Sequence, residues 1–136
     1  MNGAIVLVID DDEALVALAT TILNAAGFPT WGTTKPHEAL RWIGANPSIK
    51  VLISDVMMPE ITGPELVRRA QRIRHGRLRV LFMTGGFDGV QFRKADRILE
   101  KPWTSEELLH ETRRTLSDVP SDVPWDGPER RNRRAA

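Results

Sequence analysis

Five polar residues of this chain, each at the end of a short apolar run, have types that suit phosphoryl transfer. Asp10 and Asp11 follow the first run, Asp55 ends a later one, and Thr84 and Lys101 end two more. In a parallel sheet the carboxyl ends of neighbouring strands meet at one edge, which is where open α/β sheets place their ligand sites. We therefore expect these side chains to converge, with Asp55 as a nucleophile that accepts a phosphoryl group.

Three converging carboxylates need more positive charge than one lysine supplies. Two such charges about 4 Å apart repel by about 4 kcal/mol at an effective dielectric near ~20. A hard cation offsets this repulsion, and oxygen ligation with retained waters suits Mg²⁺. The cation would also bind the entering phosphoryl oxygens, while Lys101 adds a second positive charge and Thr84 a hydroxyl hydrogen bond.

Each of these residues also has a simpler interpretation when it is considered alone. Asp55 suits a turn or helix cap, and residues 10–12 suit a solvated loop that starts a helix. Thr84 fits a turn, Lys101 fits an ordinary surface position, and a cation-free site with internal salt bridges is a further alternative. Their coincidence at equivalent strand ends favours a shared site.

The elements that would position these residues follow from hydrophobic patterning. Apolar runs predict strands at residues 4–9, 28–33, 51–54, 80–83 and 98–99. Helical spacing between them begins with Leu15, Leu18, Ala19, Ile22 and Leu23, and Thr104 with Glu107 forms a capping box before the last helix. Alternation of strands and helices predicts a parallel sheet with helices on both faces, joined by right-handed crossovers.

Composition and length limit the remaining possibilities. The chain has 136 residues, 41% of them apolar and 27% charged, a net charge of +1 and no cysteine. These values predict one domain at residues 1–117, no nucleic-acid or membrane partner, and a cytoplasmic location without a secretory signal. Residues 118–136 repeat the motif Ser-Asp-Val-Pro across their boundary and end in an arginine cluster, which predicts a disordered, solvated tail.

Four motifs, taken in order, resemble the receiver domain of two-component response regulators. They are Val8-Ile9-Asp10-Asp11, Asp55-Val56-Met57-Met58-Pro59 with Gly63 downstream, Met83-Thr84-Gly85, and Lys101-Pro102-Trp103. The resemblance covers about residues 4–116. It implies a flavodoxin-like (CheY-like) fold, with five parallel strands in the order 2-1-3-4-5 and helices on both faces.

The resemblance also implies roles for individual residues. Asp55 would be the phosphoacceptor and, with Asp11, a direct Mg²⁺ ligand, whereas Asp10 would act largely through water. The backbone carbonyl of Met57 would complete the protein's share of the coordination. The bond between Lys101 and Pro102 would be cis, against a background of roughly 5–6% for such bonds.

Two departures from the family pattern concern the switch region. Thr84 and Lys101 lie only 17 positions apart, and residues 85–89 are rich in glycine, so we expect the fourth helix to be short, displaced or mobile. Ile98 stands where receivers usually carry an aromatic switch residue. Residues 82–87 resemble the Phe-Ala-Thr-Gly-x-Tyr motif of an atypical class with a reduced fourth helix, often found as stand-alone receivers. Phe87 is then the candidate replacement for the aromatic switch, acting with Thr84.

The resulting hypothesis is a single-domain signalling switch rather than an enzyme. A histidine kinase or a histidine phosphotransfer protein would donate the phosphoryl group to Asp55, and the product would bind a downstream protein or drain phosphate from the kinase. Two alternatives stay open. One is a phosphatase with an aspartyl nucleophile, in which Asp10 and Asp12 form the catalytic pair, and the other is a receiver-like interaction module that is never phosphorylated.

Overall fold

The computed structural model describes residues 3–86, 92 and 96–118. In chain order, the elements are β1 (Val6–Ile9), α1 (Glu13–Ala25), β2 (Thr30–Thr33), α2 (Pro36–Ala45), β3 (Val51–Asp55), α3 (Gly63–Arg74), β4 (Arg79–Thr84), β5 (Arg97–Glu100) and α4 (Ser105–Ser117). Every predicted strand is present, and the boundaries shift by one or two residues at most ends.

The five strands form one parallel sheet in the order β2-β1-β3-β4-β5, which confirms the predicted topology. The register places Ile9 beside Ser54 and Asp55 beside Met83. Thr84 in turn lies beside Glu100. The carboxyl ends of β1, β3, β4 and β5 therefore lie next to one another at one edge of the sheet.

The central strands are buried on both faces because helices cover each side. Residues at alternate positions of β1 and β3 enter different clusters: Leu7 packs with the buried side chains of α2 and α3, whereas Val8 packs with those of α1 and α4. Leu18, one of the apolar residues at helical spacing in α1, is 52% exposed. Val16, Ala19 and Leu23 are the buried positions of α1, and Leu18 lies about 100° around the helix from Ala19.

Side-chain caps set where the helices begin. Asp12 accepts hydrogen bonds from the backbone N–H groups of Ala14 and Leu15, at 3.0 and 3.3 Å, and so caps α1. The predicted capping box is confirmed: the Thr104 side chain accepts from the Glu107 N–H at 3.1 Å, and the Glu107 side chain accepts from the Thr104 N–H at 2.8 Å.

Two predicted features fall largely on residues that are not described. The predicted short helix between β4 and β5 and the switch candidate Phe87 fall in the segment where residues 87–91 and 93–95 lie outside the described residues. Residues 119–136 of the predicted tail lie outside them as well. Asp118, the first residue of that predicted tail, forms an ion pair with Arg97 at 2.7 Å.

None of the helices within the described ranges combines the length and the apolar character that a membrane crossing requires.

Candidate functional site

The carboxylates that the sequence places at strand ends lie together in the structure. Asp10 directly follows β1, Asp55 is the last residue of β3, and the two strands are neighbours. Carboxylate oxygens of Asp10, Asp11 and Asp55 all lie within 4.8 Å of one another. Asp10 and Asp55 are buried, and Asp11 is exposed. The three side chains form one acidic cluster at the carboxyl edge of the sheet.

Lys101 enters this cluster from the loop after β5. Its Nζ donates to Oδ2 of Asp10 at 2.7 Å and to Oδ1 of Asp55 at 3.1 Å. The Asp10 and Asp55 side chains are only 1% and 8% exposed, so these charge-assisted hydrogen bonds form largely away from water. The sequence analysis placed Lys101 next to the phosphoryl group and also left open a cation-free site with internal salt bridges, and the bonds of Lys101 to Asp10 and Asp55 are salt bridges of that kind.

One oxygen of Asp55 is held in place and the other is not. Oδ1 accepts the Lys101 bond and a second bond from the backbone N–H of Val56 at 3.0 Å. Oδ2 accepts none from the residues that the structure describes. The carboxylate is thus oriented through Oδ1.

The turn after β3 brings α3 against the backbone of Asp55. The backbone N–H of Gly63 donates to the carbonyl of Val56 at 2.7 Å. A Cβ atom on Gly63 would lie 2.2 Å from the carbonyl oxygen of Asp55, so only glycine fits without a backbone shift. Gly63 therefore allows α3 to begin close to Asp55 and fixes the position of the turn after β3. The spacing of residues in the sequence did not reveal this role.

Burial and mutual repulsion shift the proton affinities of the two buried acids. Burial raises the pKa of Asp55 above its usual value, the charge on Asp10 raises it further, and Lys101 opposes both effects. Burial also raises the pKa of Asp10, again against the hydrogen bond from Lys101. For Lys101, burial lowers the pKa, but the hydrogen bonds to Asp10 and Asp55 outweigh it and the net pKa is raised.

Thr84 lies at the same edge, at the end of β4. Its hydroxyl donates to the carbonyl of Gly86 at 2.7 Å, and its own carbonyl accepts from the backbone N–H of Lys101 at 2.7 Å. The second bond connects the end of β4 to the loop that carries Lys101. Thr84 must break this hydrogen bond to Gly86 before its hydroxyl can donate to a phosphoryl oxygen.

Comparison with known proteins identifies the architecture around this cluster. The family model of the response regulator receiver domain matches residues 6–113, most of the chain. The chain belongs to the response regulator receiver domain family. This family consists of phosphoacceptor domains in two-component signal transduction.

Individual relatives agree with the family model. The chain is 30% identical to the DNA-binding transcriptional regulator NtrC of Azospirillum brasilense, over 95% of this chain and 28% of that protein. It is similar to the receiver domain of the hybrid histidine kinase CckA, with 30% identity, a TM-score of 0.71 and coverage of 82% and 98% of the two chains. The chemotaxis protein CheY4 of Vibrio cholerae gives 26% identity, a TM-score of 0.73 and coverage of 84% and 99%. This receiver domain spans less than half the length of curated relatives such as NtrC.

The acidic cluster of this receiver domain could hold a metal ion. Its ligand atoms are all carboxylate oxygens, the type that hard divalent cations prefer. Met57, whose carbonyl was predicted as a further ligand, lies two residues after Asp55 and is 50% exposed. Its role as a ligand stays a prediction.

Other predicted features lie on β4, on β5 and in the loop after β5. The bond between Lys101 and Pro102 is cis. Ile98, at the position of the usual aromatic switch, lies on β5 and is 37% exposed. Phe82, two residues before Thr84 in β4, packs against Phe92, with ring centroids 5.3 Å apart.

Proposed function

We propose that Asp55 accepts a phosphoryl group from the phosphohistidine of a histidine kinase or of a histidine phosphotransfer protein, in the presence of Mg²⁺. The observation that carries this proposal is the convergence of Lys101 with two buried carboxylates, 2.7 Å from Asp10 and 3.1 Å from Asp55. Membership of the receiver family supports the same role for the residues at this edge.

The hydrogen bonds of Asp55 distinguish its two oxygens and favour one of them as the attacking atom. Val56 and Lys101 hold Oδ1 of Asp55, which leaves Oδ2 to form the new bond to phosphorus. As that bond forms, the bond between phosphorus and the donor's imidazole nitrogen breaks, and the nitrogen leaves with the electron pair and takes up a proton. The product is an acyl phosphate on Asp55.

Asp10, Asp11 and Asp55 would hold the metal ion, with the Met57 carbonyl as the further predicted ligand. When bound, the ion supplies positive charge that offsets the repulsion among the acids and that binds phosphoryl oxygens. Lys101 would then transfer its hydrogen bonds from the carboxylates to a phosphoryl oxygen. Thr84 would give up its bond to Gly86 and donate to another, which changes the turn after β4.

The output would follow from this change at Thr84. We propose that the region between Thr84 and Lys101 alters how a downstream protein binds, or that the domain acts as a sink for phosphate. Phe87 is the proposed aromatic partner in place of Ile98, in keeping with the reduced fourth helix of the atypical class. A stand-alone role predicts that the native protein migrates near 15.3 kDa on an immunoblot of its source cells, and a much larger band would contradict it.

The two alternatives have less support. Asp12, the second acid that a phosphatase reading needs, has its carboxylate engaged in capping α1. An interaction module would not need Asp10, Asp55 and Lys101 in mutual contact. The predictions of a non-enzymatic, cytoplasmic protein that binds neither nucleic acid nor membrane stay predictions.

Intact-mass spectrometry after incubation with acetyl phosphate and Mg²⁺ tests the proposal. The wild type is expected to gain one phosphoryl group, Asp55→Asn none, and the matched control Asp12→Asn the same as the wild type. No gain in the wild type would favour the interaction module. Hydrolysis of a small phosphomonoester that is lost in Asp10→Asn but kept in Asp55→Asn would favour the phosphatase.

A further inference from the structure

The outer strand β2 leaves half of its backbone groups unpaired with the sheet. Val6 donates to the carbonyl of Pro29 at 3.1 Å, and Asp10 donates to the carbonyl of Thr33 at 3.4 Å. Backbone groups of successive strand residues point in opposite directions, so Thr30 and Gly32 face away from β1. The open edge of β2 therefore presents the N–H and C=O groups of these two residues.

Asn24 of α1 already covers one of the two positions. Its side-chain amide accepts from the N–H of Thr30 at 2.9 Å and donates to the carbonyl of Thr30 at 3.2 Å. The Asn24 amide thus satisfies both outward-facing backbone groups of Thr30, as a residue of an added strand would. No side chain among the described residues bonds in this way to Gly32.

A groove lies beside Gly32, the position of β2 that Asn24 does not cover. It has a volume of about 430 Å³ and lies between α1, with Val16 and Thr20, and α2, with Trp42. Trp31 and Trp42 meet edge to face at one wall, with ring centroids 5.3 Å apart. This volume lies within the range of about 300–1,000 Å³ that is typical of ligand sites. None of the residues that line the groove carries a charge.

We propose that this groove binds an uncharged, extended peptide segment of a partner protein, which pairs with Gly32 as a sixth strand. The N–H and C=O groups of Gly32 point to the same side, so a bound molecule must offer one acceptor and one donor there. The backbone of an extended peptide offers both. The neutral walls disfavour a charged segment. Asn24 occupies the place opposite Thr30, so the added segment can continue only along Gly32 toward Thr33.

The position of Asn24 also argues against a second copy of this chain as the occupant. If two β2 strands paired antiparallel around Gly32, each partner strand would need the place opposite Thr30. The Asn24 amide holds that place in both copies. The proposal does not depend on phosphorylation of Asp55, because the groove lies away from the acidic cluster, on the open side of β2.

The test is an NMR titration of the full chain with an acetylated, amidated peptide of sequence Thr-Val-Thr-Thr-Gly, an uncharged strand-forming probe whose last residue can pair antiparallel with Gly32 without entering the place opposite Thr30. We expect chemical-shift changes at the Gly32 amide and at the indole N–H groups of Trp31 and Trp42. The Gly32 amide should also exchange with solvent more slowly. N-methylation of the last probe residue, the glycine that pairs with Gly32, should weaken binding about fivefold, since it removes one hydrogen bond worth about 1 kcal/mol.

Matched variants of α1 separate the groove from the rest of the surface. Thr20→Lys, which fills the groove, should abolish the shifts, whereas Thr21→Lys, at the neighbouring exposed position, should keep them. The same shifts in Thr20→Lys, or no change at Gly32 with the probe in excess, would overturn the proposal. Shifts that depend on protein concentration without the probe, together with a dimer in sedimentation, would assign the edge to a second copy instead.

Discussion

The ammonium group of Lys101 lies 2.7 Å from the carboxylate of Asp10, nearer than its 3.1 Å distance from the proposed phosphoacceptor Asp55. Lys101 therefore bridges the ends of β1 and β3 in this structure and partly neutralises two buried acids. A divalent ion bound by the same carboxylates would share their charge with the ammonium group. Lys101 is thus expected to weaken metal binding while it promotes phosphoryl transfer.

Replacing Lys101 by methionine should separate these two effects. Removal of the ammonium group removes charge-assisted hydrogen bonds worth about 1.5–3 kcal/mol, so Mg²⁺ affinity should rise by about tenfold to a hundredfold, while phosphorylation by acetyl phosphate slows. Isothermal titration calorimetry measures the affinity, and intact mass measures the rate. Lys50→Met, at an exposed position, is the control. Unchanged or weaker metal binding in Lys101→Met would contradict the proposed competition.

Replacing Asp55 by asparagine should stabilise the metal-free fold. Burial and Asp10 raise the pKa of Asp55 in the folded state, so its ionised form destabilises the fold at pH values above that pKa. At neutral pH in a chelator, Asp55→Asn should raise Tm by roughly 3–5 °C, or about 1 kcal/mol. The advantage should shrink as pH falls through the raised folded-state pKa and vanish below the ordinary value of 3.8, where the wild-type carboxyl is protonated in both states.

Thermal melts monitored by circular dichroism across this pH range provide the measurement. Glu60→Gln, which removes an exposed acid outside the cluster, should leave Tm nearly unchanged. A Tm for Asp55→Asn at or below that of the wild type would show that Lys101 compensates the buried charge fully.

Gly63→Ala should destabilise the protein and disturb the turn after β3. The new Cβ would lie 2.2 Å from the carbonyl oxygen of Asp55, so the backbone must move, at a cost of about 2–3 kcal/mol. Gly44→Ala is the matched control, because the nearest atom to its Cβ is a side-chain carbon of Ile73 at 3.8 Å. This helical substitution should stabilise by about 0.5–1 kcal/mol. Urea denaturation that ranks the two variants the other way would refute the close-contact argument.

Asp118 should contribute stability that is lost in acid. Two hydrogen bonds of 2.7 Å from Arg97 lower the pKa of Asp118, with smaller contributions from Arg79 and Arg114. Because this folded-state pKa is depressed, the stabilisation is present above the ordinary value of 3.8 and disappears as pH falls through the folded-state pKa. The Asp118 side chain is 41% exposed, so solvent screening limits the loss in Asp118→Asn to about 0.5–1 kcal/mol at neutral pH.

Chemical denaturation of Asp118→Asn and the wild type at neutral pH and near pH ~3 measures this contribution. The difference between the two proteins should fall at low pH and at high salt. Equal stability of the two proteins at both pH values would indicate that Asp118 acts only through its backbone carbonyl, which accepts from Arg79 and is kept in Asp118→Asn.

Local sequence patterns were sufficient to predict the architecture. The run from Val51 to Ser54 is apolar almost throughout, which is characteristic of a strand covered on both faces. Thr104 and Glu107 have the types and spacing of a capping box, and they form one at the start of α4. These features depend on neighbours a few residues apart, so sequence alone reveals them. In α1 the helical spacing of the apolar residues did not reveal which of them are buried, and only packing in the assembled fold buries Val16 and leaves Leu18 52% exposed.

The sequence by itself determined which polar residues end strands, and hence that Asp10, Asp55, Thr84 and Lys101 share one edge of a parallel sheet. Only the tertiary structure decided the contacts among them: Lys101 bonds to Asp10, 91 positions away, and Gly63 packs against the Asp55 carbonyl. The reason is physical. Periodicity specifies the face or edge to which a side chain points, whereas distances between side chains on different elements depend on strand register and on how closely the helices pack. The pKa shifts likewise depend on burial, which the assembled fold creates.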